Sequence, residues 1–409
     1  MLWFPMHMLP GGIKRRLTVA KRLLTLTLLI GLVLCGGCWD LREINASVLV
    51  SGIGIELDES NQIAFTAQLL HISASTEAGS TQTHPTLVRA VDRGVASAAR
   101  RTMLSLSLVP EWAHVKTFLL GERLVRQDLS LCIDFMTRNR NIRPDTNLMV
   151  CAGDTPEEVL GSQLPQENNL GAGLKDMLPA SEKLLGYYVP ITIEEFTYRL
   201  STPGIEPAVP QVKLMPENSG LTGVSSQKMQ PTLSGMAVFK GNKMVGSLNE
   251  YESRGYRWLA SAARQGGFLT IKSPTNPREA VGLEIIGFSR KVKPQVNGDN
   301  ITINIEVKAD LGFYEQDGTG NLLTPAMSKK LEQAANQEIK RQLTACISRS
   351  QALESDILGW GQEIKIYHPA DWKRLYPRWG DIYPSVSSNV QVKSQITRSY
   401  LDNKSFKFQ

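Results

Sequence analysis

The chain has 409 residues, 42% hydrophobic and 21% charged, with a formal net charge of +6. Five of the positive charges, Lys14, Arg15, Arg16, Lys21 and Arg22, fall in residues 12–22 beside no acid, so the 372 residues from Cys38 onward carry only about +1. That balance gives no support for nucleic-acid binding, and a body of this length exceeds a single growing core, so two or three domains are expected.

Residues 23–34 form a twelve-residue run without charge, mostly Leu, Ile, Val and Thr. A bilayer span needs about 20 such residues, so the run has signal-peptide length. It ends in Cys35-Gly36-Gly37-Cys38-Trp39-Asp40, where small residues precede Cys38. The pattern resembles a bacterial lipobox, with Cys35 where Leu is usual. We expect residues 1–37 to be a signal peptide and Cys38 to carry a covalent diacylglycerol or palmitate, which makes the remainder extracytoplasmic. The other reading is an uncleaved anchor with Cys38 as an ordinary thiol, and it places the body on the same side. Two or three acyl chains hold a protein firmly, at about 0.8 kcal/mol per buried methylene. Trp39, Asp40, Arg42 and Glu43 are candidate contacts to lipid headgroups or to a partner; the simpler account is that Arg42 and Glu43 open the fold with ordinary surface pairing.

Along the body, residues 48–55 and 63–72 read as a β-hairpin, and 73–85 as an exposed polar loop. Leu87, Val88, Val91, Val95, Ala98 and Ala99 recur at helical spacing, which predicts a helix over 86–104. A strand over 115–120, a helix over 122–136 and a strand over 147–152 follow, an alternation that suits a sheet partly covered by helices. Residues 184–197 read as an extended segment after a helical turn. Residues 201–234 hold five prolines with many Gly, Ser, Gln and Asn, and mark the main boundary region. Residues 234–247 form the clearest hairpin, turning at Lys240-Gly241-Asn242. A helix over 251–265 precedes strands over 267–273, 281–292 and 300–311, the last alternating Ile301, Ile303, Ile305 and Val307 with polar residues. Thr324 and Pro325 open a long helix striped by Leu331, Ala335, Ile339 and Leu343. The turn Asp356-Ile357-Leu358-Gly359-Trp360-Gly361, the aromatics Trp372, Tyr376 and Trp379, and a strand over 386–396 close the chain.

No catalytic constellation emerges. Glu194 and Glu195 are adjacent, and on an extended segment they point to opposite faces. His71, His84 and His114 lie far apart in sequence without a local motif, and no metal-ligand spacing, nucleophile elbow or phosphate loop is present. Of the cysteines beyond Cys38, Cys132 and Cys151 either bridge in an oxidising compartment or join Cys346 as small buried hydrophobes. The Asp356–Gly361 turn reads as structural, with Gly359 and Gly361 relieving backbone strain. At least two of the late aromatics are expected in a core.

Taken in order, Cys38-Trp39-Asp40-Leu41-Arg42-Glu43-Ile44-Asn45, Val50-Ser51-Gly52-Ile53-Gly54-Ile55, Gly121-Glu122-Arg123-Leu124, Phe135-Met136-Thr137-Arg138, Ala237-Val238-Phe239-Lys240 and Asp356-Ile357-Leu358-Gly359-Trp360-Gly361 resemble the Ger(x)C family. These are the spore germination lipoproteins that form the C subunit of nutrient germinant receptors. The resemblance implies an α+β fold of three domains with mixed or largely antiparallel sheets packed by helices. We divide the chain into the signal peptide 1–37, an N-terminal domain 38–200, a middle domain with linker 201–272 and a C-terminal domain 273–409. It also implies a non-enzymatic subunit without cofactor, anchored on the outer face of the spore inner membrane, whose partners are the integral membrane A and B subunits and lipid. The alternative is a lipid-anchored solute-binding protein, which needs a ligand cleft between two similar lobes.

Overall fold

The computed structural model describes residues 19, 21–28, 47–74, 81–165, 167–216, 228–318 and 321–399, with the backbone alone for 71–74 and 81–84. The chain divides into two compact units, Met1–Ser47 and Val48–Gln409. In the first, residues 21–28 are helical, and the Thr25 and Thr27 hydroxyls donate to the carbonyls of Lys21 and Leu23. Cys35, Cys38, Trp39, Asp40, Arg42 and Glu43 lie outside the described residues.

The second unit is an α+β body built on two mixed sheets. In the larger, β1 (Ser47–Leu57), β2 (Ile63–Ala74) and β3 (Thr81–Asp92) are antiparallel neighbours. On its other side β1 starts a parallel series with β5 (Thr117–Gly121), β6 (Asn147–Cys151) and β7 (Ala208–Pro216). The strand β8 (Met229–Lys240) pairs antiparallel with β7, β9 (Lys243–Leu248) pairs antiparallel with β8 to finish the sheet, and the short β4 (Val109–Glu111) pairs with β1. The parallel strands read as continuous apolar runs because both their faces are buried. On one face, Phe118 and Leu120 pack against α2 (Glu122–Gln127) and α3 (Ser130–Arg138), with α1 (Val95–Arg101) and α6 (Ile193–Ser201) in the same cluster. On the other, Leu119 and Met149 meet α4 (Pro156–Gly161) and α5 (Leu170–Leu184).

The smaller sheet holds β10 (Phe268–Lys272), β11 (Ala280–Asn297) and β12 (Asn300–Gln316) in antiparallel order, then β13 (Ser387–Arg398) parallel to β12. Its inner face, including Ile301, Ile303, Ile305 and Val307, is covered by α7 (Glu250–Ala260), by the long α8 (Pro325–Ala352), and by α9 (Trp360–Tyr367) and α10 (Pro369–Leu375). The Thr324 hydroxyl caps α8 at the Met327 N–H, and Leu331, Ala335, Ile339 and Leu343 form its buried stripe. Helix α8 also guards the sheet edge: Asn336 accepts the Ser394 N–H at 2.6 Å and Glu332 accepts the Ile396 N–H at 2.9 Å, occupying donors that an edge strand would otherwise offer to another chain.

Most expected elements are present, and three local readings are corrected. Residues 86–92 belong to β3, and helix starts only at Val95. The apolar spacing there spans a strand–helix junction at Gly94, and pairing with β2 supplies the backbone partners. The polar stretch expected as a loop instead extends β2 and β3 through Ala74 and from Thr81. Residues 184–197 hold the end of α5 and the start of α6, capped by Thr192, rather than an extended segment. The pairing of β6 with β7 joins residues on both sides of position 200 in one sheet, and β10, before position 272, pairs with β11. One sheet of nine strands and one of four do not make similar lobes.

The Leu343 side chain is fully buried beneath the second sheet. Leu343→Ala is expected to destabilise the body by about 2–5 kcal/mol, read as a lowered urea midpoint with an unchanged slope.

Candidate functional site

The expected anchor residues lie outside the described part of the chain, so two other features carry the site description: a crevice at the strand ends and a buried junction between the sheets. The carboxyl ends of β1, β5 and β6 lie together. From there α2 leaves β5 toward one face of the sheet, and α4 leaves β6 toward the other. A crevice of about 990 Å³ opens between them, lined by Glu56, Arg89, Glu122, Arg126, Asp154 and Glu157 among others. Its charges are largely paired within the chain. Arg89 lies 2.9 Å from Glu157 and 4.0 Å from Glu56, and Arg126 binds Glu122. Glu122 accepts the Gly153 N–H and Asp154 accepts the Leu214 N–H. Burial raises the Glu56 carboxyl above its ordinary value, partly opposed by Arg89.

The crevice has no activated nucleophile. Cys132, Cys151 and Cys346 are free and buried, and burial pushes the Cys132 thiol up to about 12 and the other two upward as well. Cys132 and Cys151 belong to cores on opposite faces of the larger sheet, which rules out the bridge left open by the sequence. Glu194 and Glu195 sit in the first turn of α6, where Glu195 binds Arg199 rather than acting with its neighbour. The backbones of His71 and His84, distant in sequence, are register partners across β2 and β3, a pairing hidden while 86–104 reads as a helix. Among the described residues no group of His, Cys, Asp and Glu is placed to hold a metal ion, and no helix is long and apolar enough to cross a membrane.

The junction is built around the turn that the sequence marks as structural. The Asp356 carboxylate is buried and accepts the backbone N–H groups of Trp360 at 3.0 Å and Gly361 at 2.8 Å, and the Trp379 indole N–H at 3.0 Å. Gly359 adopts φ 72° and turns the chain into α9. Gly361 packs against Gly204 in the loop between α6 and β7, so closely that a Cβ would lie 2.6 Å from the Gly204 Cα. Trp360, Trp372 and Trp379 are core residues, and Tyr376 is half exposed.

The same turn reaches the larger sheet at several points. The Asp356 carbonyl accepts the Glu206 N–H at 2.9 Å, and the Ser355 hydroxyl donates to the Phe239 carbonyl of β8 at 2.5 Å. Arg199 of α6, held by Glu195, donates to the Tyr256 hydroxyl of α7 at 3.1 Å and to the Ile357 carbonyl at 3.5 Å. Sequence reading found the turn but missed Arg199 and Glu206, because their partners lie more than 50 positions away. Burial raises the Asp356 carboxyl from 3.8 to about 6 against its donors, and raises Glu206 from 4.5 to about 7 against the Gly241 N–H that it accepts.

Comparison with known proteins covers nearly the whole body. Residues 40–214 match the family described as "Spore germination protein N-terminal domain", and residues 234–400 match "Spore germination B3/ GerAC like, C-terminal". Spore germination protein KC of Bacillus subtilis (strain 168) is 23% identical over 408 residues, covering 96% of this chain and 99% of that protein. Spore germination protein B3 of the same organism is 21% identical, covering 89% and 94%. The crystal structure of the GerBC protein superposes with a TM-score of 0.56 at 18% identity, covering 88% of this chain and all of that one, which shows a shared fold.

Two outcomes are expected of the junction. Asp356 and Glu206 hold their protons more tightly folded than unfolded. Their contribution to stability is therefore most favourable below about pH 4 and declines as pH rises through the window up to about 6 for Asp356 and about 7 for Glu206. Asp356→Asn turns an amide N–H toward one of the donors, so urea unfolding across this window should show a loss of about 1–3 kcal/mol at acid pH and a flatter decline up to about pH 6. Gly361→Ala should cost about 1–3 kcal/mol by forcing Gly204 and Trp372 apart, measured by thermal unfolding.

Proposed function

The chain belongs to the Ger(x)C family of spore germination proteins, and on that premise we propose that it is the lipid-anchored, non-catalytic C subunit of a nutrient germinant receptor. Its role in germination follows from the family. The anchor, the complex and the place are the proposal. In this reading Cys38 carries the lipid, and the body stands on the outer face of the spore inner membrane. It works with two integral membrane partners, the A and B subunits, in the response to nutrients.

The observation that carries the reading is the pair of family matches, one over residues 40–214, starting two residues after the candidate lipid cysteine, and one over residues 234–400. Three further features support it. The near-neutral body lacks the charge of a nucleic-acid binder. The crevice charges pair among themselves, and the described thiols are buried and held protonated. The buried junction ties the two sheets into a firm surface suited to docking. A tether multiplies the local concentration of that surface near membrane partners without any new contact. Trp39, Asp40, Arg42 and Glu43, directly after the anchor, are placed to meet headgroups or a partner subunit.

Metabolic labelling of spores with a palmitate analogue checks the anchor. Label on the wild-type chain and none on Cys38→Ala is expected; label retained by Cys38→Ala contradicts it. Crosslinked pull-down from spore membranes checks the complex: two integral membrane proteins, one of them transporter-like, should be recovered with the wild-type chain, and recovery of neither overturns this function.

A further inference from the structure

We propose that Met103, Leu104 and Val109 form a membrane-docking tip that seats the tethered body on an anionic lipid surface. The inference rests on the body being held at a bilayer through the residues before β1; it is indifferent to whether acyl chains or an uncleaved leader hold it there.

Leu104 is 82% exposed, Met103 40% and Val109 44%. These are large apolar side chains on one short segment that is held rather than free. Leu106, Leu108 and Trp112 of the same segment pack against the main core. The buried Thr102 hydroxyl donates to the Ala99 carbonyl at 2.6 Å, and the Leu106 N–H closes the turn on the Met103 carbonyl. A segment that anchors Leu106 and Leu108 inward while presenting Leu104 outward displays an apolar point at no cost in disorder.

The stretch that carries the tip is itself basic, between Asp92 and Glu111. From Arg93 to Pro110 the chain contains three arginines, Arg93, Arg100 and Arg101, and no acid. All three are exposed; Arg101 lies 3.6 Å from Asp92, and Arg100 has no ion pair among the described residues. An apolar point that follows directly on the exposed Arg100 and Arg101 suits the boundary between acyl chains and anionic headgroups. The apolar atoms enter the boundary, and the guanidinium groups meet phosphate oxygens. A protein groove is the weaker occupant, because Leu104 protrudes far more than its apolar neighbours Met103 and Val109 and offers no broad face to a groove.

Position points the same way. Val109 lies in β4, which pairs with β1, the strand through which the body continues from Cys38. Five residues past β4, the Lys116 N–H bonds the Ser51 carbonyl of that same strand at 2.8 Å. Only nine residues, 39–47, separate Cys38 from Val48. Fully extended they reach about 30 Å. A body on so short a lead keeps one side near the lipid, and the tip is attached to the strand where the lead arrives.

The test places an environment-sensitive thiol fluorophore at Leu104→Cys in the full chain in its own membranes, with the parent chain as background. Cys132, Cys151 and Cys346 are buried and held protonated, so they do not compete for the label. Ser60→Cys, in the turn between β1 and β2, is the comparison site. The expected result is a blue-shifted emission at position 104 that lipid-borne quenchers reduce and aqueous iodide does not, with the reverse at position 60. Arg100→Glu should weaken the partition of the tip about fivefold or more, because each basic residue near an anionic surface contributes roughly that factor. Quenching of position 104 by iodide, while the chain remains in the membrane fraction, overturns the docking and leaves the tether standing. Shielding of position 104 from both quenchers overturns lipid as the occupant in favour of a protein. Absence of the chain from membranes removes the tether; the labelled chain added to vesicles of phosphatidylglycerol and phosphatidylcholine then decides the docking, and an unshifted emission overturns it.

Discussion

One buried carboxylate sets how the two sheets of this protein meet. The first N–H groups of a helix have no partner within it, and α9 starts inside the protein, where water cannot serve them. Asp356 accepts two of these groups and the Trp379 indole N–H. A charge this deep is tolerable because each donor is fixed by the fold, and removing one partner would leave a buried polar group unsatisfied. The backbone around it then becomes the mounting point for the other half of the body. The Ser355 hydroxyl, the Asp356 carbonyl and the Ile357 carbonyl bind β8, the loop before β7 and α6 in turn. Gly361 lets that loop approach at backbone distance.

The sequence exposes those parts of this arrangement that are local. The long helix α8 is legible because its cap, its first-turn proline and its apolar stripe all follow from neighbouring residues. The β8–β9 hairpin is legible because Gly241 and Asn242 form a two-residue turn between strands. The Asp356–Gly361 turn is visible as a glycine-rich corner. What it holds is not, because Glu206 and Arg199 are recruited from more than 100 positions away. Residues 86–92 mislead for a related reason. Leu87, Val88 and Val91 satisfy a helical period as well as a strand does, and only pairing with β2, a long-range event, decides between them. The runs of β5 and β6 are legible as strands, but their parallel order is not, because it depends on crossovers that no local pattern shows.

The charge pattern carries the functional account further than any pocket does. Five basic residues are concentrated in the opening segment, and the body from Cys38 onward is close to neutral. The crevice at the strand ends pairs arginines with carboxylates internally, and the described thiols are buried and protonated. In the proposed reading such a body acts by position and shape. A short lead from Cys38, a firm junction between sheets and an edge guarded by Glu332 and Asn336 fit a subunit whose surfaces are offered to chosen partners.

A subunit of this kind requires the two sheets to act as a single body through the Asp356 junction. Native-state hydrogen exchange read by mass spectrometry tests it most directly. The amides of Trp360 and Gly361, the loop before β7 and the central strands of both sheets should share one opening free energy and lose protection together in rising urea. Exchange of the β10–β13 sheet at a lower free energy, while β1, β5 and β6 stay protected, would contradict the account.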